Sequence, residues 1–204
     1  MENNLPTGWI EIELQELVSY RKGKKPKTLS PTSFKNSVPY LNIKAVEKNV
    51  VEEYADAESS NISNGGEIFV VWDGARSGWV ASGMKGAIGS TLMAVKPYLL
   101  NTEYLFRFLQ TQFDFINSNP RGTGIPHVDP ELFWNIKVPI APLAEQHRIV
   151  AKLDALLARV TNCKNRLEKI PALLKNFRQS VLAAAVSGEL TKECNGENEK
   201  KYGS

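Results

Sequence analysis

Residues 143–186 read LAEQHRIVAKLDALLARVTNCKNRLEKIPALLKNFRQSVLAAAV, and their spacing decides how the rest of the chain is divided. Apolar or small residues recur at Ile149, Leu153, Leu156, Val160, Cys163, Leu167, Ile170, Leu174, Phe177, Val181 and Ala184, with gaps that alternate between four and three without a slip. Such spacing is a heptad seam on one face of an α-helix. Pro142 and Glu145 suit its first turn and Gly188 suits its end. Pro171 lies inside the pattern, where it removes a backbone hydrogen bond and crowds the carbonyl four residues earlier, at a cost of about 3 kcal/mol. The heptad phase nevertheless runs unbroken from Ile170 to Leu174 and Phe177. A hairpin would have no reason to keep register across its turn, so one kinked helix is expected.

A helix of 44 residues from Leu143 to Val186 would be about 66 Å long. It is not stable in isolation, because a helix of this kind is held by burial of its apolar face. Val150, Leu157, Leu173 and Ala185 flank the seam and widen the stripe beyond what a two-stranded zipper uses. Folding back on its own domain would require a matching face of similar length, which a domain of about 140 residues does not offer. The expected partner is a second long helix from another chain, with more than one helix accommodated.

The preceding region has a different grammar. Every proline except Pro171, and most of the glycines, fall in residues 1–142, which marks a loop-rich mixed domain. Leu14, Leu17 and Val18 give a short helix from Leu14 to Tyr20, stopped by Gly23 and Pro26. Short β-rich runs follow at Val38–Ile43, Glu67–Trp72, Trp79–Ala81 and Thr91–Val95. Apolar residues at 105, 106, 109, 113 and 116 predict a helix between Thr102 and Asn117. Asp129 is placed to cap a turn through Phe133, with a last strand over Asn135–Val138. The fold class is α+β, with a globular mixed domain at 1–142, a long helical region at 143–190 that pairs as a coiled coil or bundle, and a polar tail at 191–204 expected to be disordered.

Composition narrows the function classes. The chain of 204 residues is 42% hydrophobic with a net charge of +3, which gives a globular core and excludes general disorder. No apolar run is long enough for a membrane span, and the start MENNLPTGWI lacks the pattern of a secretion signal. Cys163 and Cys194 have neither metal-ligand spacing nor the density of a disulfide framework, so a cytoplasmic setting is the default. Residues 1–142 are net −1 and residues 143–204 net +4. Nucleic-acid binding by bulk charge is therefore excluded, and any such binding must come from local clusters.

No constellation for catalysis is visible. The two histidines, His127 and His147, have no zinc partners, and NGGEIFVVWDGARSG and MKGAIGS fit neither dinucleotide nor phosphate-loop spacings. Asp73 and Arg76 follow a strand, where an aspartate ordinarily serves a turn. Binding residues fit better. RKGKKPK at residues 21–27 places Arg21, Lys22, Lys24, Lys25 and Lys27 in a run with Gly and Pro, read as a loop whose ammonium groups follow a phosphate chain. Asn42 and Lys44 at a strand end, Arg76 and Ser77 in a Gly-rich turn, and Arg121, Thr123 and His127 in RGTGIPHV are polar groups on short loops, where base-reading side chains usually sit. Trp72, Trp79 and Trp134 read first as core aromatics.

The order of several stretches is more specific. LPTGWIEIELQELVSYRKG, VPYLNIKAV, GEIFVVWDGARSG, GAIGSTLMAVKP, RGTGIPHVDPELFWNIKVPIAPLAEQHRIVAKLDALL and RQSVLAAAVSGELT, in that order, resemble the specificity subunits of type I restriction-modification systems over about residues 5–191. The junction VPIAPLAEQHRIV, where a strand, two prolines and a Glu-Gln pair lead into the long helix, carries most of the likeness.

That resemblance implies a non-catalytic reader of double-stranded DNA, with residues 1–142 as target-recognition domain and 143–190 as helical spacer. It implies methyltransferase (modification) subunits as partners, which hold S-adenosylmethionine and methylate adenine, and restriction/translocase subunits that join them. No cofactor is implied for this chain itself. Ordinary members carry two recognition domains and two spacers, whereas this chain has one of each and looks like half a subunit. A homodimer is the resulting expectation, paired antiparallel through Ile149, Leu153, Leu156, Val160, Leu167, Ile170, Leu174, Phe177 and Val181, which would read two inverted half-sites across a gap. The rival reading is an adaptor whose helix recruits another protein and whose α+β domain binds RNA or protein. A second rival is a recognition module cut from a fused restriction enzyme. Met1 before the first motif and the tail TKECNGENEKKYGS favour a self-contained product or an intact terminal half over that second rival.

Overall fold

The computed structural model describes residues 5–122 and 124–189. The chain divides into two compact units, residues 1–151 and 152–204. Thr123 and the polar tail from 191 onward lie outside the described residues.

The first unit is built from β1 (Ile10–Glu13), α1 (Leu14–Leu17), β2 (Val18–Lys22), β3 (Leu29–Ser30), β4 (Ser37–Leu41), α2 (Ile43–Lys48), β5 (Tyr54–Asp56), β6 (Ile62–Asn64), β7 (Ile68–Val71), β8 (Val80–Ser82), β9 (Lys85–Ile88), β10 (Leu92–Pro97), α3 (Thr102–Thr111), α4 (Phe113–Ser118), α5 (Pro130–Trp134), β11 (Lys137–Ile140) and the start of α6 (Leu143–Val186). The strands form three sheets, ordered β1-β11, β2-β10-β7-β8 and β3-β5-β4-β9-β6. The second of these is antiparallel throughout, while β4 and β9 run parallel in the third.

The run IFVV of β7 explains the architecture. All four residues are buried, and strand alternation sends Ile68 and Val70 to one face and Phe69 and Val71 to the other. Ile68 and Val70 join a core with Leu14, Leu105, Leu109, Ile116, Phe133 and Val138. Phe69 and Val71 join a second core with Leu41, Val46, Ile88 and Leu92. The central sheet is thus covered on both sides, which is why its middle strand reads as continuous apolar sequence.

Several local readings change. The short helix stops at Leu17, because Val18–Lys22 pairs with β10 in a register that sets Tyr20 opposite Val95 and Lys22 opposite Met93. A ladder of cross-strand bonds outweighs the weak helical spacing of a four-residue turn. The strand expected over Val38–Ile43 ends at Leu41, where Asn42 begins α2 as its N-cap. The helix expected over 102–117 is two, interrupted at Gln112. The last strand starts two residues later than expected, since Asn135 is occupied as the C-cap of α5. Asp129 does cap that turn, accepting from the backbone N–H groups of Glu131 and Leu132 at 2.9 and 3.3 Å. β1, β3, β5, β6 and β9 carry no periodic signal, being two to four residues long.

α6 is one uninterrupted helix through Pro171. Its start is fixed to the first unit by the Glu-Gln pair. Gln146 is 2% exposed; its Oε1 accepts from the Asn101 N–H at 2.9 Å and its Nε2 donates to the Ala141 carbonyl at 2.8 Å. Glu145 accepts from the Trp9 indole at 3.3 Å. At the other end Gly188 adopts φ +73°, the left-handed conformation that ends helices. In the second unit the large apolar side chains of the seam are exposed, from Leu153 at 37% to Phe177 at 66%. Among the described residues no helix is long and apolar enough to cross a membrane.

Candidate nucleic-acid interface

The basic run is not the free loop its composition suggests. Arg21 and Lys22 are the last residues of β2, and both meet acids: Arg21 Nη2 lies 2.8 Å from Glu67 Oε1, and Lys22 Nζ 2.7 Å from Asp73 Oδ2. Gly23 then fixes the turn. Its N–H donates to the Leu92 carbonyl at 2.9 Å, and a Cβ at this position would sit 2.0 Å from the Gly89 carbonyl oxygen. This glycine permits close approach of two backbones.

Beyond it, Lys24, Lys25 and Lys27 are exposed and line a cleft with Asp56, Glu58 and Ser59. None of the three ammonium groups has an ion pair among the described residues. Asp56 shapes this segment by accepting from the Thr28 N–H at 2.7 Å and the Ser59 N–H at 3.0 Å. The Ser59 hydroxyl first, and these backbone donors after it, hold the Asp56 carboxyl below the usual carboxylate range. A depressed carboxylate contributes stability that is present above its unfolded value and lost as pH falls through the folded one. The hold of Asp56 on this segment is therefore expected to be lost only as pH falls below the ordinary aspartate value of 3.8. Amide exchange at Lys27, Thr28 and Ser59 measures it, and an Asp56→Ala variant, already loosened at neutral pH, should show no such step.

The other predicted residues fall on two linked loops and one helix. Arg121 and His127 pair backbone to backbone, the Arg121 N–H donating to the His127 carbonyl at 2.9 Å and the His127 N–H to the Arg121 carbonyl at 3.2 Å. Their loop is bound to the turn 72–78 by Gly74 N–H to the Pro126 carbonyl at 2.8 Å and Val128 N–H to the Trp72 carbonyl at 2.9 Å. His127 Nδ1 lies 2.7 Å from Asp73 Oδ1, so Asp73 receives Lys22 on one oxygen and His127 on the other. Arg76 pairs with Glu47 of α2 at 2.6 Å and lies over the Trp79 ring, 4.5 Å from its centroid. The Arg121 side chain is exposed. Lys22 Nζ stands 5.5 Å from the Trp72 ring centroid. Burial pushes the Lys22 ammonium down from its ordinary value, while the hydrogen bond and charge of Asp73 oppose the shift.

One expectation is corrected by this geometry, and two more predicted residues carry internal contacts. Ser77 is fully buried and its carbonyl accepts from Asn117 Nδ2 at 2.9 Å, so it braces the turn from inside. Asn42 commits its side-chain oxygen to the N-cap of α2, accepting from the Ala45 N–H at 2.8 Å. Lys44 pairs with Glu52. Thr123 lies outside the described residues. Trp72 is a core residue, packed edge-on to Phe133 with ring centroids 5.4 Å apart, and Trp134 packs on Tyr20 at 4.3 Å.

Sequence reasoning missed the role of Asp73, which joins three segments, and of Asn117, which holds the Ala75 and Ser77 carbonyls. Their partners lie 40 to 54 residues away in the chain, so no local spacing betrays them. The arrangement has no metal-binding cluster among the described residues. It can present cations and hydrogen-bonding groups on braced loops.

The chain as a whole is similar to known proteins. Residues 6–172 match the family described as type I restriction modification DNA specificity domain. The chain is similar to the type I restriction enzyme MjaVIII specificity subunit of Methanocaldococcus jannaschii, 28% identical over 185 residues, covering 89% of this chain and 44% of that protein. It is similar to the EcoDI specificity subunit of Escherichia coli, 33% identical over 195 residues, covering 95% and 41%. Among solved structures, the HsdS subunit from Thermoanaerobacter tengcongensis shares the fold with a TM-score of 0.73 at 22% identity, covering 90% of this chain and 46% of that one. A chain from a type I R-M complex aligns with a TM-score of 0.76 at 24% identity, covering 90% and 47%. The chain spans less than half the length of these relatives.

Proposed function

From the premise that this chain belongs to the type I restriction-modification DNA specificity family, we propose that it is the non-catalytic DNA-reading component of such a complex. The first unit contacts double-stranded DNA through its braced loops. α6 pairs antiparallel with the α6 of a second copy, so that the target is two inverted half-sites across a gap. Modification subunits, which carry S-adenosylmethionine, dock on the complex and methylate adenine, and restriction/translocase subunits join to cut unmodified DNA. The assembly works in the cytoplasm.

The observation that carries the DNA reading is the division of labour among the cations. Arg21, Lys22, Lys44 and Arg76 are committed to acids, whereas Lys24, Lys25 and Lys27 stand exposed, with no ion pair among the described residues. Ammonium groups free of internal ion pairs suit phosphates, which fix register without reading sequence. The exposed seam of α6 supports the pairing.

The triple variant Lys24→Ala, Lys25→Ala, Lys27→Ala tests it. Its affinity for duplex DNA should fall similarly for every sequence, and the slope of log affinity against log salt should flatten by about 2–3, close to one for each lysine that no longer neutralises a phosphate. Fluorescence anisotropy with a labelled random-sequence duplex measures both. An unchanged slope would remove these lysines from the interface, and tighter binding to single-stranded RNA than to duplex DNA would favour the adaptor reading.

A further inference from the structure

Asp73 and His127 together decide more than loop shape. Asp73 is a half-buried turn residue just beyond β7, with both carboxylate oxygens engaged: Oδ2 by Lys22 Nζ and Oδ1 by His127 Nδ1, each at 2.7 Å. A carboxylate only accepts hydrogen bonds, so the imidazole must carry its proton on Nδ1. The proton-free nitrogen of the neutral ring is then Nε2. The ring is 47% exposed, and backbone pairing with Arg121 and with the turn at Asp73 holds its loop. An exposed ring nitrogen with a fixed tautomer, on a clamped loop, is a hydrogen-bonding group of defined sign.

We propose that His127 is a specificity-determining residue whose Nε2 accepts a hydrogen bond from the exocyclic amino group of adenine or cytosine, and that Asp73 is the positioning residue that makes Nε2 an acceptor. In the major groove only adenine N6 and cytosine N4 offer donors, guanine and thymine offer acceptors alone at O6, N7 and O4, and adenine adds an acceptor at N7. An accepting Nε2 therefore admits adenine or cytosine and rejects guanine and thymine, whereas a donating Nε2 rejects cytosine. This inference rests on the chain being a DNA reader.

Lys22 makes the idea testable by an isosteric change. In an Asp73→Asn variant the ammonium of Lys22 can only donate, so the amide turns its oxygen to Lys22 and its NH2 to His127. An NH2 donor facing Nδ1 moves the imidazole proton to Nε2, which becomes a donor. A residue that merely propped up the loop would weaken binding when changed, but would not exchange one class of base for the other.

The experiment is selection from a pool of random-sequence duplexes with the full-length chain, followed by sequencing, for the parent, D73N, H127A and the double variant. The parent should enrich a motif with adenine or cytosine at one position of each half-site. D73N should admit guanine or thymine at that position, which the parent rejects, adenine being retained only through its N7 acceptor, H127A should flatten it by about fivefold, the worth of one neutral hydrogen bond, and D73N should add nothing on top of H127A. H127A leaves the Lys22–Asp73 pair in place, so it remains informative if D73N fails to fold. A parental motif retained by H127A, or a uniform loosening in D73N with no change of base class, overturns the inference and leaves the DNA-reading proposal standing. A parent that enriches no motif overturns the DNA-reading proposal itself.

Discussion

Leu156→Glu is expected to abolish pairing through α6 while leaving the first unit folded. Leu156 occupies the seam one turn beyond Leu153, and it is 47% exposed in the single chain, so in the proposed pair the apolar surface it contributes is buried by the second copy. Removing one buried leucine forfeits about 1.5–3 kcal/mol. In a symmetric pair the loss occurs twice, about 3–6 kcal/mol, before the cost of burying a carboxylate is added. Every 1.4 kcal/mol is roughly tenfold in a dissociation constant, so association should weaken by about two to four decades. Sedimentation or light scattering of parent and variant at micromolar concentration measures it. Circular dichroism should fall in parallel, because a helix without a partner frays. Retained pairing would show that the seam is drawn through the wrong residues, and a parent that stays monomeric would remove the homodimer from the proposal.

Gln146→Leu should be the most damaging single change at the root of the helix. The side chain is buried and bridges two backbone groups, the Asn101 N–H and the Ala141 carbonyl. Leucine fills a similar volume but answers neither, and a buried group left without a partner costs about 1–3 kcal/mol. Two such groups give a loss of about 2–6 kcal/mol, or a fall in Tm of about 4–20 °C for a unit of this size. Gln146→Glu should not rescue it, since a carboxylate still accepts from Asn101 but faces the Ala141 oxygen with a second acceptor. Thermal unfolding of the three proteins decides between them; equal melting temperatures for parent and Gln146→Leu would show that water replaces the amide. Seam pairing at Leu153 and beyond should survive, which distinguishes this effect from that of Leu156→Glu.

The helix is legible in the sequence because its signal is local and repeated: a period of three and four residues written from Ile149 to Ala184 leaves no competing register, and it holds through Pro171. Asp129 is legible for the same reason, as a cap acts on residues two and three positions away. Properties set by distant partners are not. Arg21 and Lys22 read as loop cations because nothing in RKGKKPK announces the pairing of β2 with β10 or the acids at Glu67 and Asp73. Ser77 reads as exposed because a Gly-rich turn usually is, and Asn117, which covers it, lies forty residues on. Strands such as Leu29–Ser30 are too short to carry any alternation. The family resemblance supplies function where spacing does not, while the residues that carry that function are told apart only by their partners in space.

The double-sided burial of β7 has a consequence for how this protein can change. A strand whose two faces belong to two separate cores is a wall shared by two rooms: neither core can repack without the other yielding, so the backbone from which residues 72–78 spring is pinned against drift. Side chains at the exposed tips, by contrast, support neither room. Substitutions at Arg121, which is exposed, should therefore retune what is recognised with little loss of stability, and one plinth can hold up many different inscriptions.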